Sequence, residues 1–193
     1  MIHTLSGYIS SFFINKKIIT ESEKKVYEYC FELLIAEFIN IITIFIIMII
    51  SRQYLSILLF LVSFLPLRKW AGGYHADTHF HCTFILFITL SILVVLTQYI
   101  PGSVKCILQL INAVISLIVV CYLAPVDNSN KPINEVQKSR YRNISIIISL
   151  ILSSIIGILS FYGFEKIFEV SYGMIVVAIS MIAAKLKDLI FCE

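Results

Sequence analysis

One short polar stretch holds most of the residues that could do chemistry. Residues 68–82 read RKWAGGYHADTHFHC, and they contain three of the four histidines of the chain together with Cys82. A cysteine acts as a nucleophile in its thiolate form, which requires a neighbouring base to take the proton. His75 is the candidate base, so the stretch could hold a catalytic thiol–imidazole pair.

The spacing of His75 and Cys82 restricts how the two could pair. On one continuous helix, residues seven apart share a face but stand about 10 Å apart along the axis, which is too far for proton transfer. A direct pair therefore requires a non-helical turn, and Gly72–Gly73 and Asp77–Thr78 are typical loop and cap residues. If a helix starts near Thr78, Cys82 lies in its first turns, where the positive helix end favours a thiolate.

The same residues could instead form a zinc site, or have no chemical role. His75, His79, His81 and Cys82 could all bind zinc, and the i, i+4 spacing of His75 and His79 suits two ligands on one helical face. The glutamate of an HExxH metalloprotease motif is absent, because Ala76 follows His75. Without a chemical role, the histidines are solvated loop residues and the cysteine only fills space in a helix. Spacing alone leaves the thiol pair, the zinc site and the inert loop all open.

The elements that must position these residues are predicted to be membrane helices. Of 193 residues, 59% are apolar or aromatic and only 14% are charged, and the mean hydropathy is +0.94. Because a water-soluble fold could not bury so much apolar surface, we expect an all-α polytopic integral membrane protein in a lipid bilayer. The net charge of +3 comes without a basic stripe or recognition motif, which argues against nucleic acid as a partner. Five cysteines without a CxxC pair do not indicate a disulfide framework.

Six apolar runs predict six transmembrane helices within a single domain covering residues 1–193. They cover about 33–50, 54–67, 83–100, 104–124, 143–162 and 167–184. The second run is shorter than the ~20 residues that usually cross a bilayer, so it either crosses thinned lipid or is re-entrant. Residues 1–17 have apolar side chains at helical spacing, which predicts an amphipathic helix at the membrane interface. The T-x-x-E pair of Thr20 and Glu23 predicts the start of the next helix.

Lysine and arginine divide unequally between the two sides of this arrangement. Twelve of the fifteen fall on one side, and only Arg52, Lys105 and Lys166 fall on the other. The positive-inside rule then predicts that both termini, residues 68–82 and the loop 125–142 are cytoplasmic.

The string RKWAGGYH at residues 68–75, followed by Cys82, resembles the signature of the accessory gene regulator B (AgrB) family of membrane cysteine endopeptidases. The loop 124–133, which contains Lys131 and Pro132, is similar to the proline-rich loop of that family. Length, amphipathic N-terminus and six spans agree over essentially the whole chain. His79 and His81 are not part of the family pattern.

The resemblance implies a peptidase, without a cofactor, that acts on a small AgrD-like propeptide at the cell membrane of a Gram-positive bacterium. Cys82 would attack a peptide carbonyl near the C-terminal part of the substrate, with His75 as the base, and form an acyl-thioester. A substrate cysteine or serine would then close a thiolactone or lactone ring, giving the precursor of a quorum-sensing autoinducing peptide. The resemblance leaves open whether the protein forms a homodimer. A small peptide transporter is the alternative from another class, but the later spans carry almost no ionisable group near their centres.

Further residues are candidates for substrate-binding or supporting roles. Arg68 could hold a substrate carboxylate or act as a positive anchor at the membrane surface. Glu37, inside the first span, could pair with Arg68 or bind basic substrate residues. Asp77 could orient the base or cap the third span, and Lys131 and Pro132 could shape a substrate loop or a plain turn.

Overall fold

The described residues of the chain form seven α-helices and no strand. The computed structural model describes residues 2–74, 78–126 and 134–191, and of His79, Asp188, Ile190 and Phe191 it describes the backbone alone. The helices are α1 (Ile2–Asn15), α2 (Lys24–Ser51), α3 (Tyr54–Ala71), α4 (His79–Tyr99), α5 (Gly102–Leu123), α6 (Glu135–Phe161) and α7 (Phe168–Phe191). Helices α2 to α7 are each long and apolar enough to cross a membrane. The predicted six-span all-α fold is therefore confirmed, whereas the single domain stays a prediction.

Helix α7 lies at the centre of the bundle. Its buried side chains run from Phe168 at its start to Ala184 near its end, and α3, α5 and α6 pack around it. Helix α3 approaches it closely at Gly173, where a Cβ atom would lie 2.8 Å from the carbonyl oxygen of Phe60. Small residues at such contacts let membrane helices pack closely.

Helices α2 and α4 join this bundle mainly through their later halves. One apolar cluster links the three helices α2, α3 and α4 through Ile47, Met48, Ile57, Phe60, Leu90 and Leu93. Leu90 and Leu93 are the only buried side chains among those described in α4. Near its start, α4 is instead tied to α2 by a hydrogen bond of 2.8 Å from Thr83 Oγ1 to Asn40 Oδ1. The first half of α4 therefore buries no described side chain.

Several helices extend beyond the apolar runs that predicted them. Helix α3 continues past residue 67 to Ala71, with Arg68 and Lys69 in its last turn. Its 18 residues span about 27 Å at 1.5 Å per residue, close to the ~30 Å hydrocarbon layer. Helices α4 and α2 begin before their apolar runs, at His79 and Lys24, in agreement with the helix starts expected near Thr78 and after the Thr20–Glu23 pair. The helical backbone therefore extends beyond the apolar residues at these helix ends.

The N-terminal helix α1 packs on α2 through small side chains. Ser6 and Ser10 are fully buried, whereas Leu5, Tyr8 and Phe12 are exposed. The predicted amphipathic helix is present: Leu5, Tyr8 and Phe12 point away from the protein, whereas Phe13 packs on Phe31 of α2. The three exposed side chains are free to contact lipid, as an interfacial helix requires. Its position at the membrane surface stays a prediction.

The link between α1 and α2 begins the way the sequence predicted. The backbone N–H of Thr20 donates to Glu23 Oε2 over 2.9 Å, which is one half of a capping box. A short 3₁₀ turn, Glu21–Glu23, follows and leads directly into α2.

The helix connections gather at two ends of the bundle. At one end, a cavity of about 200 Å³ is lined by residues from four helix ends: Gln53, Ser56, Thr97, Lys105, Glu165, Lys166 and Glu169. Lys105 and Lys166 therefore share an end, as the charge count predicted. We call the other end, where α3 ends and α4 begins, the site end. Which end faces the cytoplasm stays a prediction.

Candidate active site

Two glycines turn the chain as it leaves α3 at the site end. Gly72 has a φ of 78° and Gly73 a φ of 134°, and both values disfavour residues with a side chain. A Cβ atom at Gly72 would lie 2.5 Å from the carbonyl oxygen of Val126. Glycine is therefore required here both for backbone conformation and for space, in agreement with the predicted loop.

Residues 72–74, which we call the glycine turn, are held on both sides. On one side, Val126 donates its N–H to the carbonyl oxygen of Ala71 over 2.9 Å and forms an isolated bridge with Gly72. On the other side, the N–H of Tyr74 donates to the carbonyl oxygen of Ser180 in α7 over 2.8 Å. The Lys187 ammonium also lies 5.4 Å from the centroid of the Tyr74 ring. The turn is fixed between the end of α5 and the central helix.

Arg68, in the last turn of α3, donates hydrogen bonds to the glycine turn. Its Nη1 donates to Ser180 Oγ over 2.8 Å and to the Gly72 carbonyl oxygen over 3.5 Å, and its Nη2 donates to the Tyr74 carbonyl oxygen. The guanidinium is thus turned into the protein rather than out as a free anchor. The ion pair of Arg68 with Glu37, one of the two roles considered for that carboxylate, is not among the contacts of these two described residues, and the guanidinium instead donates to Ser180 of α7. Binding of a substrate carboxylate by Arg68 stays a prediction.

Cys82 lies in the first turn of α4. Thr78 is the N-cap: its Oγ1 accepts from the His81 N–H over 3.4 Å, and its carbonyl oxygen accepts from the Cys82 N–H over 3.3 Å. The expected helix start near Thr78 is confirmed, and Thr78 provides the cap. The Cys82 thiol is free and exposed.

Three helices bring ionisable groups together around this thiol. Cys82 of α4 interacts electrostatically with the guanidinium of Arg68 in α3 and with the carboxylate of Glu37 in α2. The hydrogen bond between Thr83 and Asn40 holds α2 and α4 together beside them. A positive group near the sulfur favours a thiolate, and a negative group opposes it. The arrangement joins two predicted supporting residues to the predicted nucleophile.

The remaining predicted site residues lie outside the described residues: His75, Asp77, Lys131 and Pro132. Their flanks are described. Helix α3 ends at Ala71 and α4 begins at His79, so the continuous helix that would separate His75 from Cys82 does not exist. Val126, the last described residue before the proline-containing loop, contacts the glycine turn.

The zinc site stays a prediction, because His75 and the side chain of His79 lie outside the described residues. Among the residues that the structure does describe, no three side chains of His, Cys, Asp or Glu type stand close enough to hold a metal ion. The His81 Nδ1 atom lies 2.8 Å from Thr78 Oγ1, so this ring takes part in the cap of α4. Zinc binding that includes His75 would make cleavage sensitive to chelators and dependent on His79 or His81, which a thiol site would not.

The comparison with known proteins agrees with this arrangement. The family model for accessory gene regulator B matches residues 6–184. The chain belongs to the accessory gene regulator B family. Two Clostridium perfringens proteins described as AgrB-like are similar to it. The one from strain SM101 / Type A is 29% identical over 171 residues, which is 84% of this chain and 80% of that protein. The one from strain 13 / Type A is 25% identical over the same shares. No solved structure matches.

Family membership supports a role in the agr quorum-sensing system and an AgrD-like propeptide as partner. Together with the six apolar helices, it makes the chain a multi-pass membrane protein.

Sequence reasoning missed Ser180, which binds both Arg68 and Tyr74. It stands inside the apolar run VVAISMIAA at 176–184. A small polar residue in an apolar span often makes a hydrogen bond to another helix. That signal was available, but the partner helix could not be read from it.

Proposed function

We propose that this chain is a membrane cysteine endopeptidase that removes the C-terminal part of an AgrD-like propeptide and promotes its cyclisation. The observation that carries the proposal is the position of Cys82: an exposed thiol in the first turn of α4, near enough to Arg68 of α3 for an electrostatic interaction. Arg68 in turn holds the glycine turn, after which His75 follows directly in sequence.

Cleavage uses Cys82 as the nucleophile and His75 as the base. His75 takes the thiol proton while the sulfur attacks a peptide carbonyl carbon of the propeptide. The carbon–nitrogen bond then breaks, the proton passes to the departing amine, and the C-terminal fragment leaves. The N-terminal part remains as an acyl-thioester on Cys82. The α4 N-terminus offers backbone N–H groups that can stabilise the oxyanion.

Ring closure consumes the thioester. A cysteine thiol or serine hydroxyl of the bound peptide attacks the same carbonyl carbon, the bond to Cys82 Sγ breaks, and the free thiol of the enzyme is restored. The product is a thiolactone or lactone. Because a thioester keeps the acyl group activated, this step needs no ATP, but water must be kept from hydrolysing it. A thiol at the start of a membrane helix suits that requirement.

The surroundings of Cys82 offer places for the substrate. Glu37 is exposed beside the thiol and suits basic substrate residues. The loop that contains Lys131 and Pro132 starts next to the glycine turn, at Val126, and can contribute to substrate binding. The charge distribution favours placing this end, and both termini, in the cytoplasm.

The test is cleavage of the AgrD-like propeptide by the full chain in lipid nanodiscs. Cys82→Ala and His75→Ala should each abolish cleavage, and Cys82→Ser should be nearly inactive because a hydroxyl is a much weaker nucleophile at neutral pH. Cys30→Ala is the matched control, since Cys30 is also a free, exposed cysteine, and it should cleave like the wild type. Cleavage by Cys82→Ala would overturn the proposal.

A further inference from the structure

We infer that Ser180 of α7 is a positioning residue of this peptidase: it fixes the Arg68 guanidinium and the backbone of Tyr74 and so holds the segment that leads into His75. The inference rests on the proposed function. It assigns to the central helix a direct part in arranging the catalytic segment.

The hydroxyl of Ser180 is well suited to orient an arginine. It donates to the Val177 carbonyl oxygen over 2.8 Å, one turn earlier in α7. Because its single hydrogen is used in that bond, its lone pairs face outwards and accept from Arg68 Nη1 over 2.8 Å. The other acceptor of Nη1, the Gly72 carbonyl oxygen, is 3.5 Å away. Ser180 therefore provides the closer of the two contacts that hold this nitrogen.

Ser180 contacts the glycine turn a second time through its backbone. Its carbonyl oxygen accepts from the Tyr74 N–H over 2.8 Å, while Arg68 Nη2 donates to the carbonyl oxygen of the same tyrosine. Tyr74 is thus bound at both backbone polar groups, directly by Ser180 and indirectly through Arg68. Gly73 permits this, because a Cβ atom there would collide with Arg68 Nη1 and Ser180 Oγ.

The same arginine links the turn to the nucleophile. Its guanidinium interacts electrostatically with the Cys82 thiol, so one side chain contacts the segment that precedes the base and also acts on the sulfur. Loss of the Ser180 hydroxyl leaves the guanidinium free to shift. A shifted guanidinium would alter both the glycine turn and the charge near the Cys82 sulfur. Both changes affect the chemical step, and loss of the Ser180 hydroxyl removes no group that touches the peptide.

The experiment measures kcat and KM for propeptide cleavage by Ser180→Ala in nanodiscs. We expect kcat to fall about 10-fold to 100-fold, the range for losing a hydrogen bond to a charged group, with KM within about twofold because no group in contact with the peptide is removed. Alanine is a strong helix former, so α7 should be preserved. Ser171→Ala is the matched control. The Ser171 hydroxyl donates to the Phe168 carbonyl oxygen three residues earlier in α7, as Ser180 does to Val177, and it accepts from Asn112 Nδ2, but it lies at the opposite end of the bundle. This control variant should behave like the wild type.

A double-mutant cycle with Arg68→Lys shows whether Ser180 acts through Arg68. Lysine keeps the charge but loses the fork that contacts Ser180 and Tyr74 together. If the inference holds, Ser180→Ala adds little to the loss already caused by Arg68→Lys. Wild-type kcat in Ser180→Ala, full additivity, or a rise in KM alone would overturn the inference. These outcomes leave the proposed function intact, whereas cleavage by Cys82→Ala defeats the proposed function itself.

Discussion

Replacing Gly73 with alanine should damage the site severely. The φ of 134° at Gly73 lies in a region that costs a residue with a side chain on the order of 1–3 kcal/mol. The new methyl group would also displace Arg68 from Ser180, and a hydrogen bond to a charged group contributes roughly 1.5–3 kcal/mol. Together these make about 3 kcal/mol or more, which corresponds to a loss of at least ~100-fold in cleavage rate.

The assay is propeptide cleavage in nanodiscs, with yield and monodispersity of the purified protein as the check on folding. Gly157→Ala is the control, because Gly157 lies inside α6 and a Cβ atom there would meet nothing within 4 Å. This variant should cleave within about twofold of the wild type, since alanine is favourable inside a helix. A Gly73→Ala protein that cleaves as fast as Gly157→Ala would refute the idea that the glycine turn must be held against α7.

Three further predictions concern the metal alternative, the N-terminal helix and the topology. His79→Ala and His81→Ala should keep most of the cleavage activity and a chelator should not inhibit the wild type, whereas a zinc site predicts the reverse on all counts. Deleting residues 1–15 should slow propeptide cleavage while the six spans still insert, and undiminished cleavage would show that this helix has no part in substrate capture. Impermeant thiol reagents applied from outside whole cells should label a single cysteine placed near residue 102 but not one placed near residue 130, and the opposite result would reverse the orientation.

The number and order of the helices could be predicted because each span is an apolar run bounded by charge. The length of the second span was underestimated: hydropathy ended it at 67, but the backbone stays helical through Lys69 to Ala71. Charged residues with long side chains can complete a membrane helix, so an apolar run gives only a minimum length.

The chemical residues of the site could be predicted in part, and their partners could not. The short separation of Cys82 from the glycine pair fixed a turn followed by a helix start, and Thr78 and Gly73 occupy those positions. The contact of Arg68 with Ser180 joins residues 112 positions apart. Such a contact depends on which faces of α3 and α7 meet, and periodicity is a poor guide when both helices are apolar nearly all round.

The formation of a thioester on Cys82 is the central claim, and one measurement tests it directly. A propeptide whose ring-closing cysteine or serine is replaced by alanine can acylate the enzyme but cannot cyclise, so the adduct should accumulate. Intact-mass spectrometry of the protein in nanodiscs should then show an increase equal to the mass of the N-terminal peptide fragment minus one water. The adduct should be released by neutral hydroxylamine and map to Cys82. Cleavage of this propeptide without any adduct, or an adduct that also forms on Cys82→Ala, would contradict the account.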